Sequence, residues 1–302
     1  MKIYTVNFND KNKIAIKAKN NKFYLLDELG VLCSSMNDFI DIYSDEIKEQ
    51  IEDALTNKNI NNYNSNEVKI LAPIIRTKQD IICLGVNYYD HINKVEFEDG
   101  VNKKRDDKVI ESYMQPSNTI YFSKRVNEAV GQEGIIQLHD DIVSQLDYEA
   151  ELAVILKKDA YKVKAEEAYD YIFGYSVIND ISARDLQARH TQWYRGKSLD
   201  GFTAMGPCIV TADEVEDVQN LNITCTVNGE LRQNSNTKLM IQSVSKAIEE
   251  LSAGMTLLAG TVIATGTPGG IGKSMNPPRF LKKGDVVECQ IEHIGCLKNV
   301  IG

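Results

Sequence analysis

The chain has 302 residues, enough for one sizeable core with a small companion domain. Hydrophobic residues make up 43% and charged residues 25%, the balance of a soluble globular protein rather than of a disordered or fibrous one. The net charge is −9, and no group of Lys and Arg is dense enough to follow a phosphate backbone, so nucleic acid is excluded as an expected partner.

In chain order, residues 1 to about 30 alternate apolar and polar side chains, with Tyr4, Val6 and Phe8 opposed to Thr5, Asn7 and Asn9. That period of two predicts short antiparallel strands. Phe39, Ile40, Ile47, Ile51 and Leu55 fall at helical spacings and predict one helix from about Asn37 to Leu55. The Asn-rich stretch from Asn57 to Asn66 reads as a loop, and Pro73 marks the crossing into a second domain. The expected division is a small N-terminal α+β domain over 1–70 and a larger one over 71–302.

Beyond the crossing, apolar runs at 81–86, 119–122, 152–156, 172–178 and 208–211 predict strands. Residues 222–227 and 230–233 flank Asn228-Gly229 as a hairpin. A helix is expected over 237–255, from Leu239, Met240, Val244, Ile248 and Leu251 on one face, and a last pair of strands over 286–300 turning near Gly295. There is no βα alternation, so the expected class is a β-rich α+β fold. The six cysteines form no C-x-x-C pair and several sit in apolar runs, which fits reduced, buried thiols in a cytoplasmic protein. No signal-peptide core and no run near the roughly 20 apolar residues of a membrane span is present, so no membrane partner is expected.

Glu149 and Glu151 stand two apart at the head of the apolar strand 152–156, so both carboxylates point to one face. Two like charges there repel and resist dehydration unless a hard cation such as Mg²⁺ or Mn²⁺ joins them. Asp180 closes the apolar run 173–178 and is the third candidate ligand. The competing reading is a solvated edge strand with Asp180 capping the next helix. Arg184 and Gln187 lie one helical turn apart and can face one ligand, Arg184 suiting a carboxylate through its planar fork. Gly266 to Ser274 superficially suggests a phosphate loop. It fails because Thr267 stands where the first Gly is needed and Pro277-Pro278 forbid the following helix.

The segment from Asp147 to Ile155, followed by Gly174-Tyr175-x-x-x-Asn179-Asp180-Ile181-Ser182-Ala183-Arg184-Asp185, resembles the signature of the fumarylacetoacetate hydrolase family. The likeness continues through Gly196-Lys197-Ser198-Leu199-Asp200, Met205-Gly206-Pro207, residues 227–233, residues 264–268 and Pro277 to Asp285. It is especially close to the branch containing oxaloacetate decarboxylases and acylpyruvate hydrolases. The resemblance implies a mixed β-roll core, Mg²⁺ or Mn²⁺ on Glu149, Glu151 and Asp180, and a homodimer. It implies catalytic roles for His91, in Gly85-Val86-Asn87-Tyr88-Tyr89-Asp90-His91, and for Lys197. Tyr88, Arg184, Gln187 and Thr267 become the substrate-binding residues.

The expected chemistry is cleavage of a C–C bond in a small 2-oxo acid through a metal-stabilised enolate, by decarboxylation or acylpyruvate hydrolysis. Lys94 stands where a Glu is expected three residues after His91, which tilts the expectation towards decarboxylation. Isomerase or dehydratase chemistry, or a metal- and metabolite-binding pseudoenzyme, are the alternatives. The polar stretch from Lys94 to Gln115 reads as a lid or a surface insertion.

Overall fold

The structure, a computed structural model, describes residues 1–302 except 57, 58, 93, 94, 99, 100, 105–107, 109, 110, 113, 116 and 117, with 95–98 and 101–104 described through the backbone alone. The chain opens with the hairpin β1 (Lys2–Phe8) and β2 (Lys11–Lys17), in which Ile3 faces Ile16, and β3 (Phe23–Leu25) adds to β2. Two helices follow, α1 (Met36–Ile42) and α2 (Asp45–Thr56), before β4 (Lys69–Ile70) returns to β1.

The single helix expected over 37–55 is therefore two. Tyr43 takes an extended backbone, and the Ser44 hydroxyl accepts from the Ile47 amide at 3.3 Å, capping a fresh start. The apolar spacing runs through both helices because both lie on the same core, which hides the break from a periodicity argument.

The larger part contains β5 (Ile81–Gly85), β6 (Val95–Glu98), β7 (Val101–Lys104), β8 (Ile120–Lys124), β9 (Ile135–Ile136), β10 (Leu146–Asp147), β11 (Ala150–Leu156), β12 (Ile172–Asp180) and β13 (Ser182–Ala183). Next come the short helices α3 (Arg184–Arg189) and α4 (Tyr194–Lys197), then β14 (Thr203–Thr211), β15 (Asn222–Val227), β16 (Glu230–Asn236), α5 (Val244–Ser252), β17 (Val262–Ala264), β18 (Val286–Ile291) and β19 (Gly295–Ile301). The expected helix over 237–255 keeps only its second half. Residues 237–239 form a 3-10 turn, and Ser243 caps α5 through the Lys246 amide. The intervening chain is drawn into Asn87, whose carbonyl accepts from Ile241.

The large sheet has ten strands in the order β3-β2-β1-β14-β12-β11-β17-β5-β8, with β4 on β1; a second sheet runs β16-β15-β18-β19-β9. Every residue of β11 and β12 is buried. Alternate side chains of β11 enter two different cores. Leu152, Val154 and Leu156 join Ile223, Val287, Cys289 and Leu297 of the second sheet, whereas Ala153 and Ile155 join Phe39, Ile40 and Ile51 of the helices. The large sheet is thus covered on both faces, which explains why its central strands read as continuous apolar runs rather than alternating ones. The result is a sheet-dominated α+β fold, as expected. No described helix is long and apolar enough to cross a membrane.

Candidate metal and substrate site

The candidate residues converge at one end of the central strands. Pairing of Ala150 with Asn179 brings the start of β11 beside the end of β12, and β17 on the other side of β11 carries the loop from Gly266. Asn179 locks the junction, its side-chain carbonyl accepting from the Glu149 amide at 3.0 Å while the Asp180 amide donates to the Glu149 carbonyl at 2.9 Å. Glu149, Glu151 and Asp180 are all buried, and each offers an oxygen within 4.8 Å of the others.

Two of the three have cationic partners. Glu149 meets Arg184 Nη2 and Lys197 Nζ, each at 2.6 Å, and Asp180 meets Lys197 at 2.6 Å and Lys124 at 2.5 Å. Burial alone would raise the Glu149 carboxyl, but the adjacent Lys197 and Arg184 outweigh it and hold that group below the usual carboxylate range. Glu151 is different. It accepts the Gly266 amide at 2.8 Å, and among the described residues no Lys or Arg lies within ion-pair distance of it. Burial, then Asp180 and Glu149, push its carboxyl well above the ordinary value. Three hard oxygen donors with one carboxylate left uncompensated suit a divalent cation of the Mg²⁺ or Mn²⁺ type.

Lys197, at the end of α4, is buried, and Asp180 and Glu149 raise its pKa despite the dehydration that opposes them. It is a fixed cation rather than a solvated surface charge. Arg184 donates through Nε to Asp147 at 2.9 Å and through Nη1 to Gln187 at 3.0 Å. Tyr88 is fully buried, and its hydroxyl has no hydrogen-bond partner among the described residues. Thr267 donates its hydroxyl to the Ala150 carbonyl at 2.9 Å and accepts from Gln233 at 2.7 Å, so its side chain is already engaged in holding the loop to β11.

His91 is partly buried, with Nδ1 at 3.2 Å from the Pro268 carbonyl, and burial lowers its pKa below 6.5. A carbonyl only accepts, so the ring of neutral His91 carries its proton on Nδ1 and leaves Nε2 basic. Lys94 lies outside the described residues, as do the side chains of Glu96 and Glu98.

Three residues that hold the candidate site together escaped the sequence reading. Lys124 ends β8 fully buried on Asp180. Asp147, also fully buried, accepts from Arg184 Nε and from the amides of Gly272 (2.7 Å) and Lys273 (3.0 Å), joining α3 to the 266–274 loop. Gln233 ties Ala150, Thr267 and Pro268 together. A lone Lys at a strand end carries no sequence signal of burial, whereas Asp147 and Gln233 lay inside the recognised motifs without an assigned task. Residues 272–274 form only a 3-10 turn, consistent with rejecting a phosphate loop there.

Residues 80–302 match the family described as fumarylacetoacetate (FAA) hydrolase, C-terminal. The chain belongs to the fumarylacetoacetate hydrolase family. It is 43% identical over 240 residues to the oxaloacetate tautomerase YisK of Bacillus subtilis, covering 80% of this chain and 75% of that protein. Among solved structures it is similar to the fumarylacetoacetate hydrolase of Exiguobacterium antarcticum, with 35% identity, a TM-score of 0.83, and 100% and 99% of the two chains covered. It is also similar to a 2-hydroxyhepta-2,4-diene-1,7-dioate isomerase from Mycobacterium marinum, with 28% identity, a TM-score of 0.71 and coverage of 100% and 98%. Members of this hydrolase family are enzymes, and metal-dependent C–C cleavage is their typical reaction.

Proposed function

We propose that this protein is a divalent-metal-dependent enzyme that forms an enolate from a small 2-oxo acid, with oxaloacetate as the first candidate. The observation that carries this reading is the buried triad Glu149, Glu151 and Asp180, with Lys197 bridging two of its members. A divalent cation on the triad supplies Lewis-acid stabilisation of negative charge as it develops on the substrate. Lys197 adds a fixed positive charge at the same place, in surroundings where water does not screen it. Arg184, whose three nitrogens already meet Asp147, Gln187 and Glu149, has its remaining N–H groups for a substrate carboxylate. The Tyr88 hydroxyl offers a hydrogen bond that nothing among the described residues consumes. Thr267, bonded to Ala150 and Gln233, holds the start of the 266–274 loop against β11 beside Glu151.

His91 decides between the reactions open to such an enolate. Decarboxylation needs only an electron sink, tautomerisation needs a base for the carbon-bound proton, and acylpyruvate hydrolysis needs an activated water. Nε2 of a neutral His91 meets the second requirement without a carboxylate partner. The likeness to an oxaloacetate tautomerase also supports keto–enol interconversion. Tautomerisation is therefore the leading reaction and decarboxylation the second. The reading takes the protein as a cytoplasmic homodimer whose residues 1–70 act as a packing module beside the catalytic part.

The test is purified protein with oxaloacetate, and in parallel acetylpyruvate, under Mg²⁺, Mn²⁺ or EDTA, followed by the ultraviolet absorbance of the enol and by pyruvate formation. Metal-dependent relaxation of the enol without pyruvate identifies the tautomerase, and pyruvate from oxaloacetate identifies the decarboxylase. Silence on both substrates with metal bound sinks the oxaloacetate assignment and favours a binding protein.

A further inference from the structure

The three carboxylates share a pattern that the metal reading does not by itself require. Each has one oxygen occupied by a donor from a different part of the fold. Arg184 of α3 takes Glu149 Oε1, the Gly266 amide takes Glu151 Oε2, and Lys124 of β8 takes Asp180 Oδ1. The other oxygens of Glu149 and Asp180 turn to a common neighbour, Lys197 Nζ, at 2.6 Å each. Lys124 differs from the other two cations. Its ammonium touches Asp180 Oδ1 at 2.5 Å and the Ile181 carbonyl at 3.0 Å, so both contacts fall on one short stretch at the end of β12. Its Cα is fixed by the pairing of Lys124 with Ile81 across β8 and β5, and its side chain is fully buried.

We propose that Lys124 is a positioning residue of the metal centre: by occupying Oδ1 it fixes, together with Lys197 on Oδ2, the rotation of the Asp180 carboxylate, and leaves only Oδ2, shared with Lys197, for the cation. The inference rests on the reading above that Glu149, Glu151 and Asp180 hold a divalent ion. A buried ammonium is a point donor that pins a single oxygen, so Lys124 holds Oδ1 while Oδ2 keeps only its contact with Lys197. Two physical effects of Lys124 on metal binding have opposite sign. Its positive charge repels an incoming cation, so on charge alone its removal tightens binding. Its hydrogen bond orients the ligand, so on geometry its removal loosens binding. The arrangement at Asp180 makes the second effect dominant, because a carboxylate held through Oδ2 alone, by Lys197, can turn about that contact or chelate with both oxygens.

The experiment is calorimetric titration of Mn²⁺ into the full chain without substrate, comparing wild type with Lys124→Met, Lys124→Arg and Asp180→Asn. Circular dichroism and thermal unfolding in EDTA report whether each variant is folded. Both Lys124 variants are expected to fold, because Asp180 keeps its ion pair with Lys197. Each is expected to bind Mn²⁺ roughly 10- to 100-fold more weakly, the usual loss when a partner of a metal ligand is removed. Unchanged or tighter binding by Lys124→Met, or unchanged binding by Lys124→Arg, overturns the positioning role while leaving the metal site intact. Failure of both variants to fold overturns it as well, assigning Lys124 to the fold alone. No Mn²⁺ binding by wild type, or wild-type binding by Asp180→Asn, overturns the metal reading itself.

Discussion

Glu149 and Asp180 combine two tasks, because each is both a candidate ligand and an anchor for Lys197. Replacing either by Ala is expected to abolish metal-dependent turnover; an oxaloacetate assay with and without EDTA checks this, and retained activity removes the residue from the site. His91 gives a second prediction with a sign. Its pKa is lowered by burial, so protonation, which would disable Nε2 as a base, sets in only below the ordinary 6.5. The acid limb of kcat/KM is accordingly expected below pH 6.5, and His91→Asn is expected to remove that limb and cut kcat by roughly 10²–10⁴-fold. An acid limb unchanged in the variant assigns the titration to another group. The same burial acts on stability in the same direction. An imidazole kept neutral in the folded state favours unfolding once the pH falls below its unfolded value, so this contribution is complete above that value and is lost on acidification.

At the scale of elements, α3 and α4 are held in contact through a residue with no side chain. A Cβ on Gly196 would lie 2.7 Å from the Gln187 amide nitrogen and 2.8 Å from the Ala183 carbonyl, both backbone atoms that cannot step aside singly. Gly196→Ala is expected to push α4 away from α3, displacing Lys197 from Glu149 and Asp180. The predicted cost is about 1–3 kcal/mol in urea unfolding, with a fall in kcat larger than any change in KM. The strands around this contact were legible because period-two patterns and unbroken apolar runs report burial directly, as in β1, β11 and β12. The helix breaks at Ser44 and before Ser243 were not, since the caps that make them depend on local hydrogen bonds and on capture of residue 241 by Asn87. The carboxylate triad was legible in part: an E-x-E at a strand head joined by Asp180 left a metal site and a solvated edge both open, and the family resemblance chose the metal. Lys124 was not, because its partner lies 56 residues away and only the sheet order brings them together.

At the scale of the molecule, β1 is hydrogen-bonded to β14, with Lys2 opposite Val210 and Ile3 opposite Ile209. The helices α1 and α2 also pack on one face of the large sheet, against Ile155, Phe173 and Ile209. Removing residues 1–70 is expected to expose the β14 edge together with Ile209, Phe173 and Ile155. Aggregation of the 71–302 fragment in size-exclusion chromatography is the expected outcome, and a monodisperse fragment with native circular dichroism would show that the remainder folds unaided.

The pairing of Gly85 with Ile120 across β5 and β8 has a further consequence. It pins the two ends of the segment 86–119 side by side, so whatever lies between them is a closed loop hung from an already settled frame. Lengthening such a loop is thermodynamically gentle, about 0.6 kcal/mol for each doubling. Glu151 and Asp180 sit on β11 and β12 and Glu149 immediately before β11, all outside this segment. Asn87 is tied to the Gln242 and Thr265 carbonyls and His91 to that of Pro268, so it is beyond His91 that insertions and deletions can accumulate while the carboxylate head of the site keeps its register. The fold in this way separates the part that can drift from the part that must not, and one scaffold can be re-tailored to new substrate tails by editing a single stretch of chain.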